Sequence, residues 1–192
     1  MAQAAAGFRV HSGWAAAVTL AGPVAFPELV DRRVIQLADP NVKGSKQPFH
    51  AAEALPMVQA EALIGRCRDS TRKLARLALE EISRGRDIGA CGILLASGRP
   101  LPDLAAILAS HALIHTAEGE FFRDAIRQTS RERGLHVREV KERDLYGVCL
   151  AAELRRSRAD LDRVLTAWGK QIGSPWRQDE KFAALVAWLA LS

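Results

Sequence analysis

Residues 8–20, FRVHSGWAAAVTL, constrain the fold of this chain more than any other stretch. Small and apolar residues run on both sides of one His11-Ser12-Gly13 turn, the pattern of a strand that reverses into more strand-forming sequence. Residues 23–38 follow after turn signals at Ala21-Gly22-Pro23 and Pro27-Glu28, so the opening segment predicts two or three antiparallel strands. The loop that follows, residues 39–47 (DPNVKGSKQ), has no periodicity and carries Lys43 and Lys46; it predicts a mobile surface segment able to act as a flap.

Beyond the loop the period changes. Over residues 55–83, Leu63, Ile64, Cys67, Leu74, Ala75, Ala78 and Ile82 recur at helical spacing while Arg68, Arg72, Arg76 and Glu80 fall elsewhere, which predicts one long amphipathic helix ending near Gly85. Residues 88–95, IGACGILL, are apolar almost throughout and short, as a strand covered on both faces is, and predict the centre of the sheet. After a Ser97-Gly98-Arg99-Pro100 turn come a short helix at 103–109 and a helix starting near Thr116 and ending at Gly134. A strand follows at 135–140, then helices at 144–154, 159–171 and 175–191, the last opened by Ser174-Pro175. Strand, helix and parallel strand succeed one another twice, so the class is α/β, a mixed sheet with helices on both faces.

With 192 residues the chain suits a single domain, residues 1–192, with 1–7 a flexible terminus. Cys67, Cys91 and Cys149 are an odd number in apolar surroundings without CxxC spacing; they read as core residues of a reduced, cytoplasmic protein. No basic leader and no run near the roughly 18 apolar residues of a span is present, so export and membrane partners are not expected. The net charge of +5, from 27 basic and 22 acidic residues, suits either a phosphate-binding surface or ordinary solubility.

Val10-His11-Ser12-Gly13-Trp14 is laid out like the Asp-Pro-Gly segment that ends the first strand of the bacterial Holliday-junction resolvases. Asp179-Glu180-Lys181-Phe182-Ala183-Ala184 resembles their closing helix, in which an acid precedes an alanine-rich apolar face. The chain thus resembles these resolvases and their ribonuclease H-like relatives, which implies a three-layer ribonuclease H-like fold and DNA or RNA as partner. On that alignment His11 replaces the first metal-binding aspartate. Family chemistry uses two divalent cations held by carboxylates, so the resemblance implies a divalent metal ion at His11, Asp179 and an acid of the first helix, Glu53 with Glu61 competing, in a centre that is degenerate or altered.

Other residues carry chemistry of their own. His111, His115, Glu118 and Glu120 crowd one segment, where His115 and Glu118 suit an acid–base pair or part of a metal site; equally, Thr116 caps a helix and the glutamates occupy its first turn. His50 stands at the start of the long helix. Arg32 and Arg33, on alternate faces of a strand, with Lys43 and Lys46, are the candidate phosphate contacts, and an edge-strand charge is the competing reading for the arginines. The charges of Arg123, Arg127, Arg131 and Arg133 alternate with acids and read as a solvated, ion-paired face. Absence of Walker, GxGxxG and GxSxG motifs disfavours ATPase, dehydrogenase and esterase classes. Whether the protein is an enzyme stays open. One alternative is a small-molecule hydrolase or transferase using His11, His111, His115 and Glu118. Another is a non-enzymatic homo-oligomer joined through its last helices or through exposed tryptophans among Trp14, Trp168, Trp176 and Trp188.

Overall fold

The chain enters its first strand at Gln3. A computed structural model describes residues 3–96, 100–147 and 153–192. In it β1 (Gln3–His11), β2 (Trp14–Ala21), β3 (Glu28–Gln36), β4 (Asp87–Leu95) and β5 (His136–Lys141) form one sheet in the order β3-β2-β1-β4-β5. The first three strands are antiparallel neighbours, and β1, β4 and β5 are parallel. The central strand is therefore β1, not the apolar β4 beside it. Burial on both faces, which the β4 sequence does reveal, is shared by every inner strand of a covered sheet.

Residues 3–7 are not a flexible end. Ala4, Ala5 and Ala6 are fully or almost fully buried, and their small side chains are what the middle of the sheet accommodates beneath packed helices. Alternation then sorts β1: Ala4, Ala6, Phe8 and Val10 face one layer, while Ala5, Gly7, Arg9 and His11 face the other.

On the first face lie α1 (Pro48–Ala52), α2 (Met57–Ser83), α3 (Leu104–Leu108) and α4 (His111–Glu132). The 27-residue α2 follows the predicted stripe, burying Ile64, Cys67, Ala75 and Ile82. Helix α4 begins five residues before Thr116, whose hydroxyl donates to the Ala112 carbonyl inside the helix rather than capping it. On the second face lie α5 (Arg158–Ile172) and α6 (Gln178–Ala190). Helix α5 opens with a reciprocal cap between Ser157 and Asp160. The start of α6 is not Ser174-Pro175 but Gln178, where the Glu180 carboxylate accepts from the Arg177 N–H.

What places α6 is a pair of glycines. Gly7 of β1 and Gly92 of β4 are register partners. A Cβ at Gly7 would stand 2.0 Å from the Ala183 carbonyl oxygen, and one at Gly92 would stand 2.3 Å from that of Val186. Only bare backbone lets the helix lie this close, so the sheet carries a shallow trough into which the Ala-rich α6 settles. Ten of its residues are buried, among them Trp188, whose indole N–H donates to Val24 O. The last helix is thus core, and Trp168 is buried against Trp188; neither tryptophan is an exposed oligomer contact.

The 39–47 loop is fastened rather than free. Asp39 accepts from the Asn41 N–H and from Ser70 Oγ of α2, its carbonyl takes Ser45 Oγ, and Ser45 is buried. After β5 a single 3₁₀ turn (Glu142–Asp144) replaces the start of the helix expected at 144–154; residues 148–152, with Cys149, and the turn residues 97–99 lie outside the described part. Cys67 and Cys91 are buried free thiols.

Candidate functional site

The end of β1 and the start of α6 meet as the two resemblance motifs require. His11 Nε2 lies 2.9 Å from Asp179 Oδ1, and the imidazole stacks on Trp14 across the hairpin, centroids 4.4 Å apart and planes 14° from parallel. Register explains the stack, because His11 and Trp14 are cross-strand partners on one face.

Arg9 completes the group. Two residues before His11, it projects from the same face, and its guanidinium grips both oxygens of Glu142 at 2.9 and 3.2 Å while also donating to Asp179. Its charge lies 5.0 Å from the centre of the Phe182 ring. Planar, forked and always charged, arginine suits this bidentate hold. Sequence reasoning missed both Arg9 and Glu142. The alternation that places His11 also places Arg9, so one signal was available; Glu142 follows β5 with no motif around it.

The residues present do not fit a pair of magnesium ions. Hard Mg²⁺ needs several oxygen ligands in an octahedron, and here one carboxylate is held by an arginine while the other is shared between that arginine and an imidazole. Glu53 does not join: it is exposed at the end of α1, in the layer on the opposite face of the sheet, and Glu61 is exposed on α2. The expected ligand trio of His11, Glu53 and Asp179 is thus reduced to a His11–Asp179 pair.

The remaining histidines form a separate group. His50 of α1 and His111 and His115 of α4 pack their rings edge to face, and all three bring a nitrogen within 4.8 Å of the others. Glu118 is buried beneath them and accepts from the Phe49 and His50 N–H groups, so it caps α1 rather than occupying the first turn of its own helix. Burial pushes its carboxyl above the usual glutamate range, opposed by those hydrogen bonds. Because His11 sits on the other face, His11, His115 and Glu118 do not make one catalytic set, nor does the four-residue hydrolase or transferase site assemble.

The candidate phosphate contacts divide. Arg32 donates to the carbonyls of Gly173, Ser174 and Pro175, clasping the turn before α6. Arg33 is paired with Asp31 and Glu81. Both guanidiniums are engaged within the chain, and among the described residues neither Lys43 nor Lys46 makes an ion pair. Lys46 borders a groove of about 750 Å³ that runs past Gly13, Trp14 and Val34 beside the His11 end of the sheet. Lys43 borders a different groove, with Gln59 and Arg66 of α2. Arg127 bridges Glu120, Asp124 and Glu139, the ion-paired face expected for α4.

Solved structures that share this architecture include two of RuvC. One is "T. thermophilus RuvC in complex with Holliday junction substrate", at 12% identity and a TM-score of 0.54, covering 96% of this chain and 90% of that one. The other is "Thermus thermophilus RuvC structure", at 13% identity and a TM-score of 0.53, covering 96% and 91%. The fold is ribonuclease H-like. No protein-family model and no curated protein matches the sequence. Within the ribonuclease H-like frame, the His11–Asp179 contact falls where the first strand approaches the closing helix. No described helix is long and apolar enough to cross a membrane.

Proposed function

We propose that the chain is a nucleic-acid-binding ribonuclease H-like domain whose metal centre has been replaced by an internal ion-pair network, so that it holds branched or otherwise structured DNA or RNA without cutting it. The observation that carries this reading is Arg9. A guanidinium between Glu142 and Asp179 puts one fixed positive charge where the family chemistry uses two divalent ions, and it cannot activate a water. Binding itself needs only shape and cations. Lys46 and the stacked Trp14 border an open groove, the net charge is +5, and one structural neighbour is complexed with a Holliday junction.

The test is a titration of labelled four-way-junction DNA, duplex DNA and structured RNA with the purified protein over a range of salt. Binding that weakens steeply as salt rises, and weakens further in Lys46→Glu and Trp14→Ala, supports the reading. Absent or salt-insensitive binding to all three overturns it.

A further inference from the structure

We infer that His50, His111 and His115 form a second, independent site: an open three-histidine centre for a divalent transition ion of the zinc class, braced by Glu118. It lies on the α1–α4 side of the sheet and owes nothing to the Arg9–His11–Asp179 network.

Helix geometry makes half of it. His111 and His115 are four residues apart at the start of α4, so their rings project from one face, and their Nε2 atoms lie 3.0 Å apart. In a tetrahedral site with metal–nitrogen bonds of about 2.0–2.1 Å, neighbouring donors are roughly 3.3 Å apart. The pair therefore needs to open by only a few tenths of an ångström. His50 arrives from α1, its ring centroid 4.8 Å from that of His115 and 5.5 Å from that of His111. Each of the three histidines already brings one nitrogen within 4.8 Å of the others, close enough for small side-chain adjustments to gather them on one ion.

Glu118 is the independent observation. Its side chain is 2% exposed; one oxygen holds the His50 and Phe49 N–H groups and stands 3.2 Å from His50 Nδ1. A carboxylate accepting from Nδ1–H fixes the tautomer that presents Nε2, the arrangement by which outer carboxylates orient metal-binding histidines. Its other oxygen, Oε2, is buried with no hydrogen-bond partner among the described residues. A buried carboxylate with an idle oxygen under three imidazoles is a site short of positive charge, and a dication restores it.

Chemistry selects the ion. Three imidazoles suit Zn²⁺, Ni²⁺ or Cu²⁺ and not Mg²⁺ or Ca²⁺. His111 and His115 are exposed, so the fourth position faces solvent, as in sites that retain water or a small anion.

The test uses the full chain without a histidine tag, stripped with chelator and titrated with ZnCl₂ by calorimetry and with Co²⁺ by visible absorption. The expected results are one ion per chain and a tetrahedral Co²⁺ spectrum. His111→Ala and His115→Ala, at exposed positions, should each lower affinity at least tenfold with the metal-free unfolding temperature unchanged. Glu118→Gln should lower affinity about 10- to 100-fold. His136→Ala, at an exposed histidine on β5, should leave binding as it is. No stoichiometric binding, or binding equal in the parent, His111→Ala and His115→Ala, overturns the inference and leaves the nucleic-acid reading untouched.

Discussion

Gly7→Ala is the sharpest perturbation of the packing that builds the cleft. The added methyl would lie 2.0 Å from Ala183 O, 2.5 Å from Ala187 N and 2.8 Å from Ala187 Cβ. Cβ atoms essentially never approach other atoms below 3.0 Å, so α6 must lift by about 1 Å, the difference between that limit and 2.0 Å. The obstructing atoms are mostly helix backbone, which cannot rotate aside. Inserting a methyl into a packed core costs about 1–3 kcal/mol, and rigid obstruction puts this case near the upper end. Alanine recovers about 0.5–1 kcal/mol of glycine's conformational cost in a strand, which leaves a net loss of about 2 kcal/mol. For a domain of this length that lowers the unfolding midpoint by about 4–8 °C. Urea unfolding followed by circular dichroism measures the loss, and the His11 ring resonances report whether Asp179 has moved away. The internal control is Gly65→Ala in α2, where nothing lies within 4 Å of the added Cβ and up to about 1 kcal/mol of stabilisation is expected. A Gly7→Ala protein within about 0.5 kcal/mol of the parent, with His11 resonances unmoved, would refute the claim that bare backbone seats α6.

Three further outcomes follow from the same geometry. Arg9→Met removes charge-assisted hydrogen bonds to two carboxylates and should lower stability by about 2 kcal/mol; Mg²⁺ should raise the melting temperature of the variant and leave that of the parent unchanged. Because burial raises the Glu118 carboxyl, its charged form is penalised in the fold. That penalty is absent below the ordinary glutamate value of about 4.3 and grows as pH rises through the raised one, so in the presence of chelator the stability of Glu118→Gln relative to the parent should increase with pH over that window in urea unfolding. The Cys91 thiol, pushed up to about 12 by complete burial, should resist thiol reagents in the native protein at neutral pH and react only on unfolding, as a timed labelling experiment would show.

The sequence reveals most where pattern and burial coincide. The β1–β2 hairpin, the α2 stripe and the doubly covered β4 are all legible, and so is the meeting of His11 with Asp179, because it rests on two motifs at element ends. Position within the sheet is less legible. Ala4 to Gly7 carry too little side chain to announce a core strand, yet their smallness is what a central strand beneath a close helix requires. Helix α4 misleads for a different reason: Thr116, Glu118 and Glu120 mimic the start of a helix, while Glu118 serves as the cap of another element, α1, a tertiary contact that no local pattern encodes. That contact also hides the convergence of His50 with His111 and His115, which are separated by more than sixty residues of chain. The phosphate role expected of Arg32 and Arg33 meets a similar limit, since alternation predicts their opposite faces but not the Gly173–Pro175 carbonyls and the acids waiting there.

On the proposed function, the carboxylates of Glu142 and Asp179 are engaged by Arg9 and His11 and hold no catalytic pair of metal ions. Incubation of labelled four-way-junction DNA with excess protein across a series of Mg²⁺ and Mn²⁺ concentrations, resolved on a denaturing gel, tests this most directly. Uncut strands are expected at every concentration; cleavage that requires the metal and disappears in Asp179→Asn would contradict the proposed function.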